Sequence, residues 1–315
     1  MPDLPLILVT EGSTAAPLTW LKERARVVEA APESAEFHAA LPDAVGMIVR
    51  TYTQVNDALL ARAPRLKVVG RAGVGLENID VAACRARGVE VVYTPDANSL
   101  AVGDFVFGCA LQLLRPWAAF RDRVYEPKEF KRVRNTSHGL QLNELTIGIL
   151  GMGRIGRRVG HIAASGFGAR VIYNDLVDVG RLGFPAMAVD KETLFREADV
   201  VTLHVDMRPG NEHLVGAALL ARMKRTAILI NTSRGGVLDT AALAAALRGH
   251  TIAGAAIDVF DPEPPGADYP LLGLDNVLLT PHMAARTSTA VDNMCWVVRD
   301  IIEVVSGRPP KYPAP

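Results

Sequence analysis

Apolar residues fall in short bounded runs, and between the runs they recur at helical spacing. Runs at 6–9, 26–28, 46–49, 67–69 and 90–93 predict strands in the first hundred residues. Segments 18–24, 55–63 and 81–87 between them read as helices. This alternation predicts a parallel sheet with helices on both faces. Segment 99–125 then reads as one long, mostly apolar helix, with Asn98 or Ser99 as its N-cap. Pro116 lies inside it and is expected to kink or split it. A second alternation has strands at 147–150, 170–174, 200–204, 227–231, 254–258 and 277–279, with helices at 191–197, 216–223 and 240–248. The final helix, 287–306, has no strand after it and is expected to cross back to the first unit. The predicted fold class is α/β: two Rossmann/flavodoxin-like parallel-sheet domains with a cleft between them. Residues 1–98 and 285–315 would form one domain and 99–284 an inserted one, with hinges near 95–99 and 284–287.

The stretch 145–175 carries the most chemistry. A buried strand runs directly into Gly151, Gly153 and Gly156, spaced G-x-G-x-x-G. The first glycine permits the tight turn. The second lets a pyrophosphate approach the backbone, and the third lets helix and strand pack closely. The N–H groups and positive dipole end of the following helix then face the phosphates. Asp175 closes the next strand, where an acid accepts hydrogen bonds from ribose hydroxyls and repels a 2′-phosphate. Strand, glycines, helix, strand and acid in that order predict a dinucleotide site that takes NAD.

Composition excludes several other classes. The 315 residues suffice for about two domains; 49% are apolar and 22% charged, as in an ordinary globular protein. Lys+Arg and Asp+Glu both number 34, so nothing suggests a nucleic-acid partner. Cys84, Cys109 and Cys295 are too few and too far apart for a disulfide framework or zinc spacing, and no metal site is expected. No apolar run reaches the roughly 18 residues of a membrane span. The N-terminus lacks a basic region with a cleavage site, so a cytoplasmic location is expected. The segment 121–134 is strongly basic and reads as a solvated face or arm, or as a wall of an anion-attracting cleft or a dimer arm.

Three polar residues follow strands of the second unit: Arg234, Glu263 and His282. In an open parallel sheet, ligands bind beyond the carboxyl ends of the strands. If these strands share one sheet, all three lie on the rim that carries the glycine turn.

The text around these residues resembles the D-isomer-specific 2-hydroxyacid dehydrogenase family. The matching stretches are GILGMGRIG, NTSRGGVLDT, GAAIDVFDPEPP and NVLLTPHMAART, with IVRTYTQV, VVGRAGVGLENID and YTPDANSLAVGD upstream. Within the family the chain looks most like the phosphoglycerate and glyoxylate/hydroxypyruvate branches. The regulatory domain of longer phosphoglycerate dehydrogenases is expected to be absent.

The resemblance implies an oxidoreductase that moves a hydride between NAD(H) and C2 of a D-2-hydroxy or 2-oxo acid. His282 would be the general acid/base, and Glu263 would hydrogen-bond it and favour its protonated form. Arg234 would grip the substrate carboxylate and 2-oxygen, which suits its fixed fork of donors. Val74 and Gly75 would bind the carboxylate through their N–H groups, and Arg50 would add a positive charge. Arg154 and Ile155 would meet the pyrophosphate and Asp175 the adenosine ribose. Thr232, Ser233, Asp258 and Ala284 would flank the nicotinamide, with Asp258 facing the carboxamide and Val102 packing on the ring. His204, ending a strand on the same rim, would line the cofactor cleft. A homodimer through the nucleotide-binding domain is implied. An NAD(H)-sensing corepressor-like binding protein shares this fold and these residues, and is the alternative.

Several positions depart from the family pattern. Val102-Gly103-Asp104 stands where Val-Ala-Glu is usual, and the Gly-x-Trp before the glycine-rich unit is missing. Tyr52 and Arg286 stand where small residues are common. These changes bear on which acid is bound, and Arg50, Arg71 and Arg286 would favour a second anionic group.

Overall fold

The computed structural model describes residues 4–115, 126–136 and 138–315. They form two compact units: Met1–Asn98 with Ala285–Pro315, and Ser99–Ala284.

The first unit is built on β1 (Leu6–Val9), β2 (Arg26–Glu29), β3 (Gly46–Val49), β4 (Val68–Arg71) and β5 (Glu90–Tyr93). All pair in parallel, in the order β2-β1-β3-β4-β5. This is the flavodoxin-like order. Every residue of β1 and β3 is buried, because helices cover both faces of the sheet. Alternate residues feed opposite faces. Leu8, Met47, Val49, Val69 and Val91 pack with Phe37, Leu59 and Leu60. Ile7, Val9, Ile48, Val68 and Val92 pack with Val297, Val298 and Ile301 from the end of the chain.

The terminal helix differs from expectation. It is two helices, Ser288–Cys295 and Val298–Val305. At the break, Trp296 N–H donates to Asn293 O and Val297 N–H to Met294 O, so three-residue bonds replace the four-residue ladder. The Trp296 ring meets Trp20 edge-on, and its Nε1 donates to Asp292.

Among the described residues the second unit has seven parallel strands. They are β6 (Thr146–Leu150), β7 (Arg170–Asn174), β8 (Met187–Ala188), β9 (Val200–Leu203), β10 (Ile228–Asn231), β11 (Gly254–Ile257) and β12 (Val277–Leu279). The order is β12-β11-β10-β9-β6-β7-β8, so the sheet reverses direction of growth between β6 and β9. That is the doubly wound arrangement, and its switch point is where ligands bind. The two-residue β8 carries no sequence signal of its own.

The long helix covers Ser99–Leu114, and Pro116 lies outside the described residues. Its expected N-cap groups, the side-chain oxygens of Asn98 and Ser99, are buried and make no hydrogen bond to the described residues. A Cβ at Gly103 would lie 2.7 Å from Arg158 Cγ. Glycine there leaves room for Arg158, which pairs with Asp104 at 3.7 Å. The Gly103-Asp104 departure thus belongs to one helix contact. Of the basic segment, Arg121 and Arg123 lie outside the described residues. Its remainder falls in a helix, Pro127–Thr136, opened by proline at its first position. Lys128, Lys131, Arg132 and Arg134 are exposed there, and only Val133 is buried.

Candidate active site

The glycine turn joins β6 to the helix Arg154–His161. Gly151 has φ +93°, and a Cβ there would stand 2.6 Å from His204 O. A Cβ on Gly156 would stand 2.1 Å from Gly151 O, so no other residue lets the helix approach the turn this closely. Gly153 differs, because a Cβ there would meet nothing within 4 Å. It is the helix N-cap and makes no side-chain cap bond. The open space and uncapped helix start suit a phosphate. Asp175 is held against this turn: its Oδ2 accepts from Met152 N–H at 2.7 Å and its Oδ1 from Val177 N–H at 3.2 Å. Arg154 is exposed on the first helical turn and Ile155 is half-buried.

β10 ends in Asn231, which is fully buried and templates the turn that carries Arg234. Its Oδ1 accepts from the Ser233 N–H at 3.0 Å and hydroxyl at 2.8 Å, and its Nδ2 donates to Arg234 O at 3.0 Å. Arg234 Nη1 donates to Ser233 O at 2.6 Å. A Cβ on Gly235 would fall 2.0 Å from the Phe260 carbonyl. The turn of Arg234 therefore seats directly on the loop that leads to Glu263. Thr232 is buried, and its hydroxyl has no partner among the described residues.

Asp258 follows β11 and is 1% exposed. Its carboxylate accepts from Thr280 Oγ1 at 2.6 Å, Met283 N–H at 2.7 Å and Ala284 N–H at 2.8 Å. Its carbonyl accepts from His282 N–H at 2.8 Å. These bonds tie the Asp258 carboxylate to the chain on both sides of His282. Asp258 is a positioning residue for His282. His282 needs that support, because its φ of +53° lies in the left-handed region that is costly for a side-chain-bearing residue. Its ring Nδ1 lies 2.8 Å from Glu263 Oε1, with both side chains partly exposed.

These residues follow β6, β9, β10, β11 and β12 of one parallel sheet, so they share its carboxyl rim. His204, after β9, has Nε2 2.9 Å from the Thr202 hydroxyl. Val102 is 3% exposed, inside the long helix.

In the first unit, Arg50 follows β3. Its loop is clamped by Glu11, whose carboxylate accepts from the N–H groups of Arg50, Thr51, Tyr52 and Thr53 at 3.1, 2.7, 3.0 and 2.8 Å. The Thr53 hydroxyl adds a bond at 2.8 Å. Asn78 Nδ2 donates to the carbonyls of Arg50 and Thr53. Tyr52 projects from this loop 70% exposed. After β4, Arg71 Nε donates to Gly75 O at 2.9 Å and Nη1 to Ala72 O at 3.0 Å. Arg71 thus folds its own loop. The N–H groups of Val74 and Gly75 find no acceptor among the described residues. Arg286 is exposed, just before the helix Ser288–Cys295.

Sequence reasoning passed over Glu11, Asn78 and Asn231. Only Asn231 had a signal, an Asn two residues before a Ser at a strand end, the pattern of a side chain that closes a turn. Among the described residues no helix is long and apolar enough to cross a membrane, and no group of three or more His, Cys, Asp or Glu is placed to hold a metal.

A doubly wound sheet with a glycine turn, and Arg, Glu and His on its carboxyl rim, defines a dinucleotide-binding α/β protein. Residues 107–284 match the model of the D-isomer specific 2-hydroxyacid dehydrogenase, NAD binding domain. The chain belongs to the D-isomer specific 2-hydroxyacid dehydrogenase family. It is 38% identical over 272 residues to a D-3-phosphoglycerate dehydrogenase of Methanocaldococcus jannaschii, covering 84% of this chain and 50% of that one. It is 33% identical over 282 residues to a hydroxypyruvate reductase of Thermotoga maritima, covering 88% and 89%. Among solved structures, D-lactate dehydrogenase from Aquifex aeolicus, complexed with NAD and lactic acid, superposes with a TM-score of 0.83 at 27% identity, covering 96% of each chain. The chain spans about half the length of the phosphoglycerate dehydrogenases it matches.

Proposed function

We propose that this protein is an NAD-dependent D-2-hydroxyacid dehydrogenase of the phosphoglycerate or glyoxylate/hydroxypyruvate type. The observation that carries the reading is the His282–Glu263 pair, 2.8 Å apart, on the sheet rim that also bears the glycine turn and Arg234.

The residues present fit the cofactor. Gly153 leaves space at an uncapped helix start, and Asp175 stands beside it at the end of β7. The loop 175–180 contains Asp175 and Asp178 and no cation, which favours NAD over NADP. Bound NAD supplies the hydride acceptor for oxidation of the acid, and its reduced form the donor for the reverse. Arg234 holds the carboxylate and 2-oxygen. His282 Nε2 takes the 2-hydroxyl proton as the hydride leaves C2, and returns it to the oxo oxygen in reduction. General acid–base help of this kind contributes roughly 10²–10⁴-fold. On the first unit, Arg50 and the N–H groups of Val74 and Gly75 are the proposed carboxylate-binding groups.

The Glu11 clamp supports a small, fixed recognition loop around Arg50 and Tyr52. The substrates that fit this reading are hydroxypyruvate, phosphohydroxypyruvate and glyoxylate. We further propose a cytoplasmic homodimer joined through the nucleotide-binding unit, which light scattering of the purified chain would test. The deciding assay offers these acids and pyruvate with NADH and follows the nicotinamide absorbance. Turnover of at least one is expected. NADH binding without turnover of any 2-oxo acid would sink the enzyme and leave a cofactor-sensing protein.

A further inference from the structure

His204 stands one residue beyond β9, and Thr202, two residues earlier, shares its face of the strand. Thr202 is fully buried, and its hydroxyl lies 2.9 Å from His204 Nε2. Among the described residues that nitrogen is the sole acceptor recorded for this hydroxyl. A buried donor left unmade costs about 1–3 kcal/mol, so the hydroxyl donates and Nε2 accepts. Burial keeps the ring neutral, pushing its pKa down to about 3. A neutral imidazole with an accepting Nε2 carries its proton on Nδ1.

That Nδ1–H is shielded from solvent and meets no acceptor among the described residues. Thr232 Oγ1 is in the same condition. β9 and β10 are adjacent, with Leu203 opposite Asn231, so His204 and Thr232 occupy matching positions just past the pairing. The His204 carbonyl also abuts the glycine turn, 2.6 Å from where a Gly151 Cβ would be. Two buried donors without acceptors among the described residues therefore lie side by side on the carboxyl rim, one of them on the residue that abuts the glycine turn. Buried polar groups are nearly always satisfied, and a ligand is one of the partners that satisfies them.

We propose that His204 is a neutral Nδ1–H donor to an oxygen of the bound dinucleotide, with the Thr232 hydroxyl beside it, and takes no part in proton transfer. The inference rests on the NAD reading and adds to it a tautomer, a donor atom and the residue, Thr202, that fixes both.

The test uses the full chain labelled with ¹⁵N-histidine. Imidazole ¹H–¹⁵N correlations between pH 6 and 9 should show the His204 ring as the Nδ1–H tautomer throughout. NADH should move its Hδ1 resonance downfield. Thr202→Val, similar in shape, should let the Nε2–H form appear. In fluorescence titrations with NADH, His204→Asn places an amide N–H near the Nδ1 position and should bind like the wild type. His204→Gln and His204→Ala should bind about tenfold more weakly, the loss of roughly one hydrogen bond. A wild-type Nε2–H tautomer overturns the proposal, as does His204→Ala with unchanged NADH affinity. A wild-type protein that fails to bind NADH overturns the cofactor reading itself and this contact with it. An Nδ1–H ring with NADH affinity indifferent to residue 204 overturns the contact alone.

Discussion

Glu263 Oε1 and His282 Nδ1 lie 2.8 Å apart, and a carboxylate can only accept. His282 therefore carries a proton on Nδ1 and leaves Nε2 as the ring atom that exchanges protons. His282→Ala should lower kcat for a 2-oxo acid by about 10²–10⁴-fold. NADH affinity should stay within about threefold, since one hydrogen bond is worth roughly tenfold and none is assigned to this ring. Stopped-flow turnover and NADH fluorescence read the two separately. An active variant would remove His282 from the reaction.

Arg234 sits on a turn templated by Asn231 and seated on Gly235. Its guanidinium offers a planar fork, whereas lysine offers a point charge. Arg234→Lys should raise the KM for the 2-oxo acid about tenfold or more, the loss of about one charge-assisted bond. The KM for NADH should barely move. Equal kinetics in the lysine variant would show that the fork is not used.

The glycine turn separates folding from binding. A Cβ on Gly156 would press on Gly151 O at 2.1 Å, so Gly156→Ala should lower the melting temperature and abolish NADH binding together. A Cβ on Gly153 would meet nothing within 4 Å. Gly153→Ala should therefore keep the melting temperature and still weaken NADH binding, because the methyl group occupies the space proposed for the phosphate. Unchanged NADH affinity in Gly153→Ala would place the pyrophosphate elsewhere.

Glu11 yields a prediction with a pH dependence. Burial raises its pKa. The N–H groups of Tyr52 and Thr53, the Thr53 hydroxyl and the Thr51 N–H outweigh that and leave it below the usual carboxylate range. A carboxyl held lower in the folded state adds stability above its unfolded pKa, lost as pH falls through the folded value. Glu11→Gln should cost on the order of 2 kcal/mol at neutral pH, since one side-chain oxygen is replaced by a donor facing N–H groups. Urea unfolding should show that difference shrinking as pH falls below the ordinary carboxylate range and through the lower folded value, where the wild-type carboxyl also becomes protonated. A difference that persists undiminished at low pH would mean the clamp does not depend on charge.

Asp175 is the residue proposed to set the choice of cofactor. The wild type should prefer NADH to NADPH, and Asp175→Ser should narrow the gap by removing the charge that repels a 2′-phosphate. Steady-state rates with both cofactors check this. NADPH preferred by the wild type would refute it.

The α/β class, the parallel sheets and most strand positions were legible in the chain alone. A buried parallel strand needs a short apolar run, and a following glycine or capping residue ends it; both signals lie within a few residues. The glycine turn could be read for the same reason, since its three glycines and the acid ending β7 belong to one βαβ unit. Nearby residues also foretold Arg234, Glu263 and His282 as strand-end side chains. What they touch was decided only by the tertiary structure. Glu11 binds N–H groups 39 to 42 positions away because β1 and β3 lie side by side, an adjacency set by strand order. Asp258 braces the loop of His282 because β12 returns beside β11 and brings Met283 and Ala284 to its carboxylate. Arg71 staples its own loop, because the chain doubles back and points the carbonyls of Ala72 and Gly75 at it. Local spacing specifies where chain elements begin and end; which polar groups remain available for a ligand depends on how distant segments satisfy one another once the sheets have formed.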